Sequence, residues 1–364
     1  MIRDVRIKLF STTVMLICIG IVMIYSASSI YAWEKYSDGF FFLKRHLSFV
    51  LIGAFLIFMA MCYDYRKLKK LSKPILVVSF LLLILVLVPG IGREVAGARR
   101  WFRFRIFSFQ PSEFANLAVI IYAADFISRK GEHIKTLMHG FMPPLLVLGL
   151  TALLILVQPD LGTTVALGSV IFIMLYIAGV RWNYLLSVIL VSLPVLCILI
   201  LSVPYRRVRI LAFLNPWIDP KGGGFQIIQS QVALGSGGVF GVGLGHSMQK
   251  LFYLPAAHTD FIFSIIGEEL GLFGTMAVIV LFMLFITLSL KIIKHAPDRF
   301  GYFLALGLLL MITLKAVINI GVSCALLPTK GLPLPFISYG GSSFIFDMIS
   351  VGILMNIGRT GEYP

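Results

Sequence analysis

The sequence predicts an all-α polytopic membrane protein with about ten transmembrane helices, and two observations support this prediction. Hydrophobic residues make up 59% of the 364 residues and charged residues 13%, whereas soluble domains have about 45–50% and about 25%. The apolar residues also lie in continuous runs long enough to cross a bilayer as helices. A transmembrane barrel would instead alternate apolar and polar residues. The same composition excludes collagen, coiled-coil, disordered and secreted disulfide-rich classes.

Ten apolar runs define the predicted spans of one integral membrane domain, residues 1–364. They cover residues 8–31, 47–63, 75–92, 113–128, 141–158, 161–180, 184–204, 260–290, 301–327 and 337–357. The first run is too long for the h-region of a signal peptide, so we expect an uncleaved first span. The single long connection, about residues 205–259, is predicted to be a large extracytoplasmic loop between helices 7 and 8.

Lys and Arg in the short loops slightly favour cytoplasmic N- and C-termini. The outer cations concentrate in the long loop and in the segment 93–105, where five arginines alternate with Trp101, Phe102 and Phe104. Two interpretations of this segment stay open: an interfacial amphipathic helix on anionic headgroups, or a site where arginines bind a phosphorylated substrate. Nucleic acid is not expected as a partner, despite the net charge of +15.

Glycine dominates the middle of the long loop, from Gly222 to Gly245. Glycine allows the backbone to approach a ligand closely and to present its amides to anions. A mobile or re-entrant loop is the simpler interpretation, and spacing alone favours it. The loop has no Walker pattern, so a nucleotide-driven transporter is disfavoured.

Charged residues in or beside the spans are candidate functional residues, because a charge in hydrocarbon costs about 2.5–3.5 kcal/mol. We expect Asp125 to be solvated at a cytoplasmic helix end, and Lys315 and Asp347 to make interior contacts between helices. The four scattered cysteines are predicted to be small, buried packing residues. The charged residues within or at the edge of the predicted spans are Glu113, Asp125, Asp160, Asp260, Glu268, Glu269, Lys315 and Asp347.

Asp260 begins span eight directly after the glycine-rich loop. Thr259 or Asp260 could simply cap that helix, which is the common role for such residues. However, the carboxylate would lie at the outer surface with the two arginine-bearing segments. A carboxylate beside cations suits a general base that acts on a hydroxyl while the cations hold a phosphate leaving group.

Several motifs together resemble the SEDS family of cell-wall glycosyltransferases. They are LPAAHTDFIFSIIGEEL, NPWIDPKGGGFQIIQSQVALGSGGVFGVGLG, GARRWF, QPSEFA, QPDLGTT and LPTKGLPLPFISYGGSS, between residues 97 and 343. The segments GLGHSMQKLFYLP and LPTKG resemble the cell-division branch more than the elongation branch. The ten-span prediction fits the whole length of the family.

The resemblance implies a peptidoglycan glycosyltransferase that polymerises lipid II, an undecaprenyl-diphosphate-linked disaccharide peptide, into glycan strands for septal cell-wall synthesis. It implies a multi-pass protein of the bacterial cytoplasmic membrane with its active site on the outer face. It also implies pairing with a class B penicillin-binding protein transpeptidase and with other cell-division proteins.

The resemblance maps the family's essential aspartate onto Asp260. It maps other motif residues onto Arg100, Glu113, Asp160 and Lys330. The chain departs from the family at Asn116, where a lysine is usual. If that lysine pairs with the QPD aspartate, then Asp160 lacks its usual partner here. The complete set of predicted substrate-binding residues is Arg99, Arg100, Trp101, Glu113, Asp160, Arg206, Lys250, His258, Glu268 and Lys330.

The predicted mechanism is inverting, with Asp260 as the general base. The diphosphate leaves already ionised, so a single carboxylate suffices, unlike the pair in glycoside hydrolases. Arginines, or a divalent cation such as Mg²⁺ or Mn²⁺, would stabilise the leaving group, although the sequence has no metal-ligand spacing. A lipid II flippase, an elongation-type polymerase and a non-catalytic scaffold are the alternatives.

Overall fold

Twelve α-helices and one small β-sheet make up the described chain in the computed structural model, which covers residues 2–95, 98–103, 108–251 and 253–361. In chain order the helices are α1 (Ile2–Tyr36), α2 (Phe41–Cys62), α3 (Arg66–Leu85), α4 (Pro111–Lys130), α5 (Met142–Val157), α6 (Leu161–Ile177), α7 (Trp182–Leu201), α8 (Pro204–Leu214), α9 (Phe225–Ser236), α10 (Ile262–Lys294), α11 (Arg299–Ser323) and α12 (Gly341–Thr360).

Each of the ten predicted spans coincides with a helix, and α8 and α9 lie within the long loop. Seven helical stretches of the described chain are long and apolar enough to cross a membrane: α1, α2, residues 137–157 including α5, α7, α10, α11 and α12. The α6 helix is apolar but shorter. These helices make the chain a multi-pass membrane protein, while the total of ten spans stays a prediction.

The helices differ sharply in how much of their surface is covered. The apolar stretch of α12 is 78% buried and that of α11 is 67% buried, whereas that of α7 is only 6% buried. Most of α4 is also buried. Thus α4, α11 and α12 form the centre of the bundle, and α7 leaves nearly all of its surface for lipid.

The segment 93–109 contains β1 (Arg93–Val95), β2 (Ala98–Arg103) and β3 (Ser108–Phe109), an antiparallel sheet in the order β1-β2-β3. The interfacial helix considered for this segment is therefore wrong. Aromatic residues favour strands, and the rings of Phe102 and Phe109 stack across the β2–β3 pair at 6.4 Å. Phe104 and Arg105 lie outside the described residues.

Helix α10 is interrupted at Gly271, which has a φ of 65°. The glycine-rich loop fills the interruption. The amide of Val242 donates to the carbonyl of Glu268 at 2.9 Å, and the amide of Leu272 donates to the carbonyl of Gly238 at 3.0 Å. A Cβ at Gly271 would lie 2.3 Å from the amide nitrogen of Gly241. Only glycine permits this approach, so the glycine-rich segment is a packed part of the fold.

Asp125 does not lie free in solvent at a helix end, so that expectation is wrong. It is buried and accepts hydrogen bonds from Ser72 at 2.6 Å and from Arg129 at 2.9 Å. The reason is that α3 packs against α4 at this position and encloses the carboxylate.

The predicted burial of the cysteines is also wrong for three of them. Cys18, Cys62 and Cys197 are exposed, and Cys324 is partly buried. In a membrane protein the outer surface contacts apolar lipid rather than water. A weakly polar thiol therefore gains little from moving inward.

Candidate functional site

A cavity of about 360 Å³ lies between the start of α6, the end of α7, α8 and the loop that joins α11 to α12. We call it the Asp260 cavity. Among the described residues, six charged ones line it, four cations and two carboxylates: Arg100, Arg206, Arg209, Lys330, Asp160 and Asp260. Five elements that are distant in sequence thus place charged side chains around one space.

The backbone on both sides of Asp260 is fixed to the α11–α12 loop. The side-chain amide of Asn319 donates to the carbonyl of Asp260 at 2.9 Å and to that of Leu332 at 2.8 Å. Ser338 donates through its hydroxyl to the carbonyl of Thr259 at 2.6 Å. These bonds hold the residue in place without using its carboxylate.

The carboxylate of Asp260 does not cap a helix. Helix α10 begins at Ile262 after Phe261, and no side chain caps it. The carboxylate lines the cavity instead, and a Cβ at Gly331 would lie 3.1 Å from its Oδ2 atom. The capping alternative is therefore wrong, and a glycine provides the space beside the carboxylate.

Burial raises the pKa of Asp260 to about 6, because desolvation disfavours the charged form. The positive charge of Arg209 and a hydrogen bond with Thr259 oppose this shift. A carboxylate with a pKa near 6 is ionised at neutral pH and is still a stronger base than an ordinary aspartate. These properties suit a general base.

Asp160 caps α6 with its side chain, accepting from the amide of Thr163 at 3.1 Å and from its hydroxyl at 2.8 Å. Lys330 lies next to it: burial lowers the pKa of Lys330, and the negative charge of Asp160 opposes that shift. Asn116, which replaces the usual lysine of the family, is buried in α4. Asp160 thus caps a helix and has a nearby cation, although position 116 is not a lysine.

The three cavity arginines are oriented by backbone carbonyls. Arg100 donates to the carbonyls of Gln158 and Pro159, both at 2.6 Å. Arg206 donates to the carbonyl of Leu199 at 2.8 Å. A guanidinium has five N–H groups, so donors remain for a ligand.

Arg209 was missed as a site residue in the sequence. It lies three residues after Arg206, so both face the same side of α8. It donates to the carbonyl of Thr329 at 3.0 Å and lies over the ring of Tyr205 at 4.3 Å. The i, i+3 spacing of arginines in a helical segment was the signal that could have found it.

Most of the remaining cavity wall is apolar. Leu161 and Val165 contribute from α6, Leu196 and Ile200 from α7, and Ile210 from α8. Helix α7, which contributes two of these residues, is almost entirely exposed along its length. The cavity therefore combines a cationic part with an apolar part that includes one side of this exposed helix.

Glu113 lies outside the cavity, in a buried cluster with Lys315 and Asp347 that we call the buried triad. The Nζ atom of Lys315 lies 2.7 Å from Glu113 and 3.1 Å from Asp347. All three side chains are at most 4% exposed. The expected interior contact between Lys315 and Asp347 is confirmed.

Lys250 and Glu268 also lie outside the cavity, where the glycine-rich loop joins α10. Lys250 pairs with Glu269 at 2.8 Å, and both are buried. Glu268 accepts from the hydroxyl of Ser247 and from the amide of Met248. These contacts fasten the loop to the first half of α10, just after Asp260.

The other predicted site residues do not line the cavity. Arg99 is paired with the exposed Glu94 at 3.2 Å on the sheet, and Trp101 is opposite Arg93 in the same sheet. His258 packs against the ring of Phe42 at 4.6 Å. The structure thus brings Arg100, Asp160, Arg206, Asp260 and Lys330 together and places the remaining predicted residues elsewhere.

A metal site does not emerge from the described residues, since no three of their His, Cys, Asp or Glu side chains are grouped to hold an ion. Of the part of the chain that the structure describes, only two carboxylates line the cavity. The four cations nearby are the charges that could face an anionic group.

Comparison with known proteins places the chain among bacterial cell-wall enzymes. It is 47% identical over 344 residues to the probable peptidoglycan glycosyltransferase FtsW of Geobacter metallireducens, covering 94% of this chain and 92% of the relative. It is 45% identical over 351 residues to the stage V sporulation protein E of Bacillus subtilis, covering 96% and 95%.

Solved structures agree with this result. A chain from a study of structural coordination of polymerization and crosslinking by a peptidoglycan synthase complex superimposes with a TM-score of 0.78 at 29% identity, covering 98% of both chains. The rod shape determining protein RodA of Thermus thermophilus gives a TM-score of 0.72 at 27% identity, covering 98% and 97%. Residues 7–363 match the family of FtsW, RodA and SpoVE, described as cell cycle proteins. The chain therefore belongs to the FtsW/RodA/SpoVE family.

Proposed function

We propose that this protein is a peptidoglycan glycosyltransferase that polymerises lipid II, with Asp260 as its general base. One observation carries the proposal: a carboxylate with a raised pKa shares a half-apolar cavity with four cations. Lipid II is itself a diphosphate joined to sugars at one end and to a long apolar chain at the other. The four cations match the diphosphate of lipid II, and the apolar residues of the cavity match its long apolar chain.

The reaction follows from these positions. The acceptor hydroxyl gives its proton to the Asp260 carboxylate as its oxygen attacks the anomeric carbon of the donor sugar. The bond between that carbon and the diphosphate oxygen breaks, and the electron pair leaves with undecaprenyl diphosphate. Attack from the face opposite the leaving group inverts the configuration at the anomeric carbon.

The cations hold the diphosphate. Arg100, Arg206 and Arg209 have N–H groups left for phosphate oxygens. One guanidinium group can donate two parallel hydrogen bonds to two oxygens of a phosphate. Lys330 adds a fourth positive charge next to Asp160. Because these groups are held in place before the reaction, they stabilise the negative charge that develops on the leaving group without having to reorganise as water would.

The biological setting follows from the relatives. Relatives named FtsW favour a role in septal wall synthesis during division, and the solved synthase complex couples polymerization with crosslinking. We infer a class B penicillin-binding protein transpeptidase as the partner. The termini would lie in the cytoplasm, and the Asp260 cavity would open at the outer face of the membrane, where lipid II is used.

The test is polymerisation of lipid II by purified protein carrying Asp260→Asn. General bases contribute about 10²–10⁴-fold, so we expect the rate to fall by that factor. The fold should survive, because Asn319 holds the carbonyl of Asp260 and not its carboxylate. Asp38→Asn is the matched control: this aspartate is 35% exposed, pairs with Lys44, and does not line the cavity.

Polymerisation by Asp260→Asn at the wild-type rate would overturn the mechanism.

The flippase alternative is tested with the same variant in proteoliposomes. Lipid II translocation that persists without Asp260 while polymerisation is absent from the wild type would favour a transporter. The scaffold alternative predicts that Asp260→Ala supports division in cells as long as the protein is made and binds its partner.

A further inference from the structure

Helix α8 and the short turn after it, Pro216–Ile218, present large apolar side chains to the outside of the bundle. Surfaces that face water rarely expose a contiguous apolar patch of this kind without a binding role. We call this surface the apolar face of α8. Its five side chains are between 46% and 74% exposed: Val208, Leu211, Leu214, Trp217 and Ile218.

The two sides of α8 differ in what they contact. Successive residues of a helix are about 100° apart, so Val208, Leu211 and Leu214 lie on one side. Arg206 and Arg209 lie on the opposite side and line the Asp260 cavity, whereas none of the five residues of the apolar face does. Helix α8 therefore lies between the cavity and whatever covers the apolar face.

The charge of α8 fits a lipid surface. The helix has three arginines and no acidic residue, and basic helices with one apolar side are typical of helices that lie in the membrane interface. Arg207 is exposed beside the apolar face. A long arginine side chain can lie along apolar surface while its charged group reaches the headgroups, so Arg207 is compatible with lipid on this side.

The position of α8 in the chain places it at the edge of the bilayer. Helix α7 has 20 residues, a length of about 30 Å at 1.5 Å per residue, which equals the hydrocarbon thickness of about 30 Å. The backbone becomes extended at Val203, with φ −110° and ψ 115°, and α8 begins at Pro204. Trp217 follows α8, and tryptophan is enriched at membrane interfaces. Thus α8 begins about where α7 leaves the hydrocarbon.

Lipid is already next to this part of the chain. The apolar stretch of α7 is only 6% buried, and two residues separate the end of α7 from the start of α8. The bilayer that surrounds α7 is therefore within reach of the apolar face. A protein partner would have to cover the same face in place of that lipid.

We propose that α8 is a membrane-interface helix whose apolar face lies in the lipid on the same side of the membrane as the Asp260 cavity. The bilayer then holds α8 from one side while Arg206 and Arg209 face the cavity from the other. Under the proposed function, on which this part rests, contact with lipid helps to position two of the cations that bind the diphosphate.

The lipid contact is tested by the fluorescence of Trp217 in the full-length protein, purified without a partner and placed in phosphatidylcholine nanodiscs. The other three of the four tryptophans are changed to phenylalanine: Trp33, Trp101 and Trp182. Phosphatidylcholine brominated near the headgroup end of its acyl chains should quench this fluorescence several-fold. Iodide in the water should quench it little. An unchanged melting temperature shows that the substitutions left the fold intact.

A matched pair of variants tests the apolar face itself. One has Leu211→Gln with Leu214→Gln, and the other has Leu211→Met with Leu214→Met. Glutamine and methionine have similar lengths but differ in polarity, and neither leucine lines the cavity. The glutamine variant should lose quenching by brominated lipid and gain quenching by iodide. The methionine variant should behave like the parent protein.

The consequence for the cavity is tested by polymerisation of lipid II in the same nanodiscs, with native tryptophans. The glutamine variant should be several-fold slower than the wild type although every residue lining the cavity is unchanged, and the methionine variant should keep the wild-type rate. If the wild type does not polymerise lipid II, the proposed function fails, while the fluorescence of Trp217 still tests the lipid contact.

Three results would contradict the proposal. Quenching of Trp217 by iodide and not by brominated lipid would place the apolar face in water. Quenching by neither would show that protein, such as a second copy of this chain, covers it. Lost lipid contact in the glutamine variant with an unchanged polymerisation rate would overturn the positioning of Arg206 and Arg209 by the bilayer.

Discussion

The Asp260 cavity and the buried triad contain the same kinds of residue but differ in access. Both combine carboxylates with cations, and Asn319 and Lys315 lie one turn apart on α11. In the triad every charge contacts another charge, and the side chains are at most 4% exposed. In the cavity, Asp260 and Lys330 are only partly buried and face a space of about 360 Å³. The comparison shows that charged residues have two different uses in this protein. In the triad they pair with one another, and in the cavity they face a space that a ligand can enter.

The triad connects the central helices. Glu113 is on α4, Lys315 on α11 and Asp347 on α12, so one lysine ties three helices together. Buried ion pairs seldom add stability compared with apolar residues, but breaking one is strongly destabilising. The triad therefore links three central helices, and the cavity performs the chemistry that we propose.

The largest effect should come from breaking the triad. Lys315→Met keeps the length of the side chain but leaves Glu113 and Asp347 buried without a cation. We expect the free energy of unfolding to fall by about 3–5 kcal/mol, measured as lost thermal stability of the purified protein in detergent.

The matched control for Lys315→Met adds Glu113→Gln and Asp347→Asn. This triple variant has no buried charge, so most of the stability should return. Asp260→Asn should melt like the wild type while losing activity. If Lys315→Met melts like the wild type, the triad has no role in stability and the comparison fails.

A smaller effect should distinguish two neighbouring arginines. Arg100→Gln removes a cavity cation, and a hydrogen bond to a charged group is worth about 1.5–3 kcal/mol. We therefore expect the polymerisation rate at low lipid II concentration to fall by about 10- to 100-fold.

Arg99→Gln provides the control, since its side chain pairs with Glu94 on the sheet and does not line the cavity. Exposed pairs of this kind contribute about 0.2–1 kcal/mol. We expect a loss of a few-fold at most. Equal losses from the two variants would place both arginines on the substrate, as the sequence pattern predicted.

The smallest effect should be a shift in the pH profile. A general base must be ionised, so the rate should fall as the pH drops through about 6, the pKa of Asp260. Arg209 lowers that pKa, and Arg209→Gln should therefore raise the pH at which the rate is half-maximal. The measurement is the single-turnover rate between pH 5 and 9.

A structural defect from Arg209→Gln would lower the rate at every pH. A role through Asp260 would lower the rate mainly below neutral pH, with partial recovery at higher pH. An unshifted midpoint would show that Arg209 acts only on the substrate or on the fold.

The sequence predicted the helices well and the irregular segments poorly. Long apolar runs identified ten helices because a helix in lipid must satisfy its own backbone, whatever its neighbours are. The segment 93–105 was harder, because clustered arginines and aromatic residues fit an interfacial helix as well as the short antiparallel strands that it forms. Asp125 was placed in solvent because sequence does not show that α3 covers it.

The sequence by itself determined the membrane class, the apolar runs that form helices and, through its motifs, the family, and it predicted Asp260 as the catalytic residue. These are local properties, because hydropathy and motif identity do not depend on distant residues. Only the tertiary structure decided that Arg209 faces Asp260 while Glu113 and Lys250 lie in closed ion pairs. Whether a charge faces a cavity or another charge depends on helix packing, which brings together residues far apart in the chain.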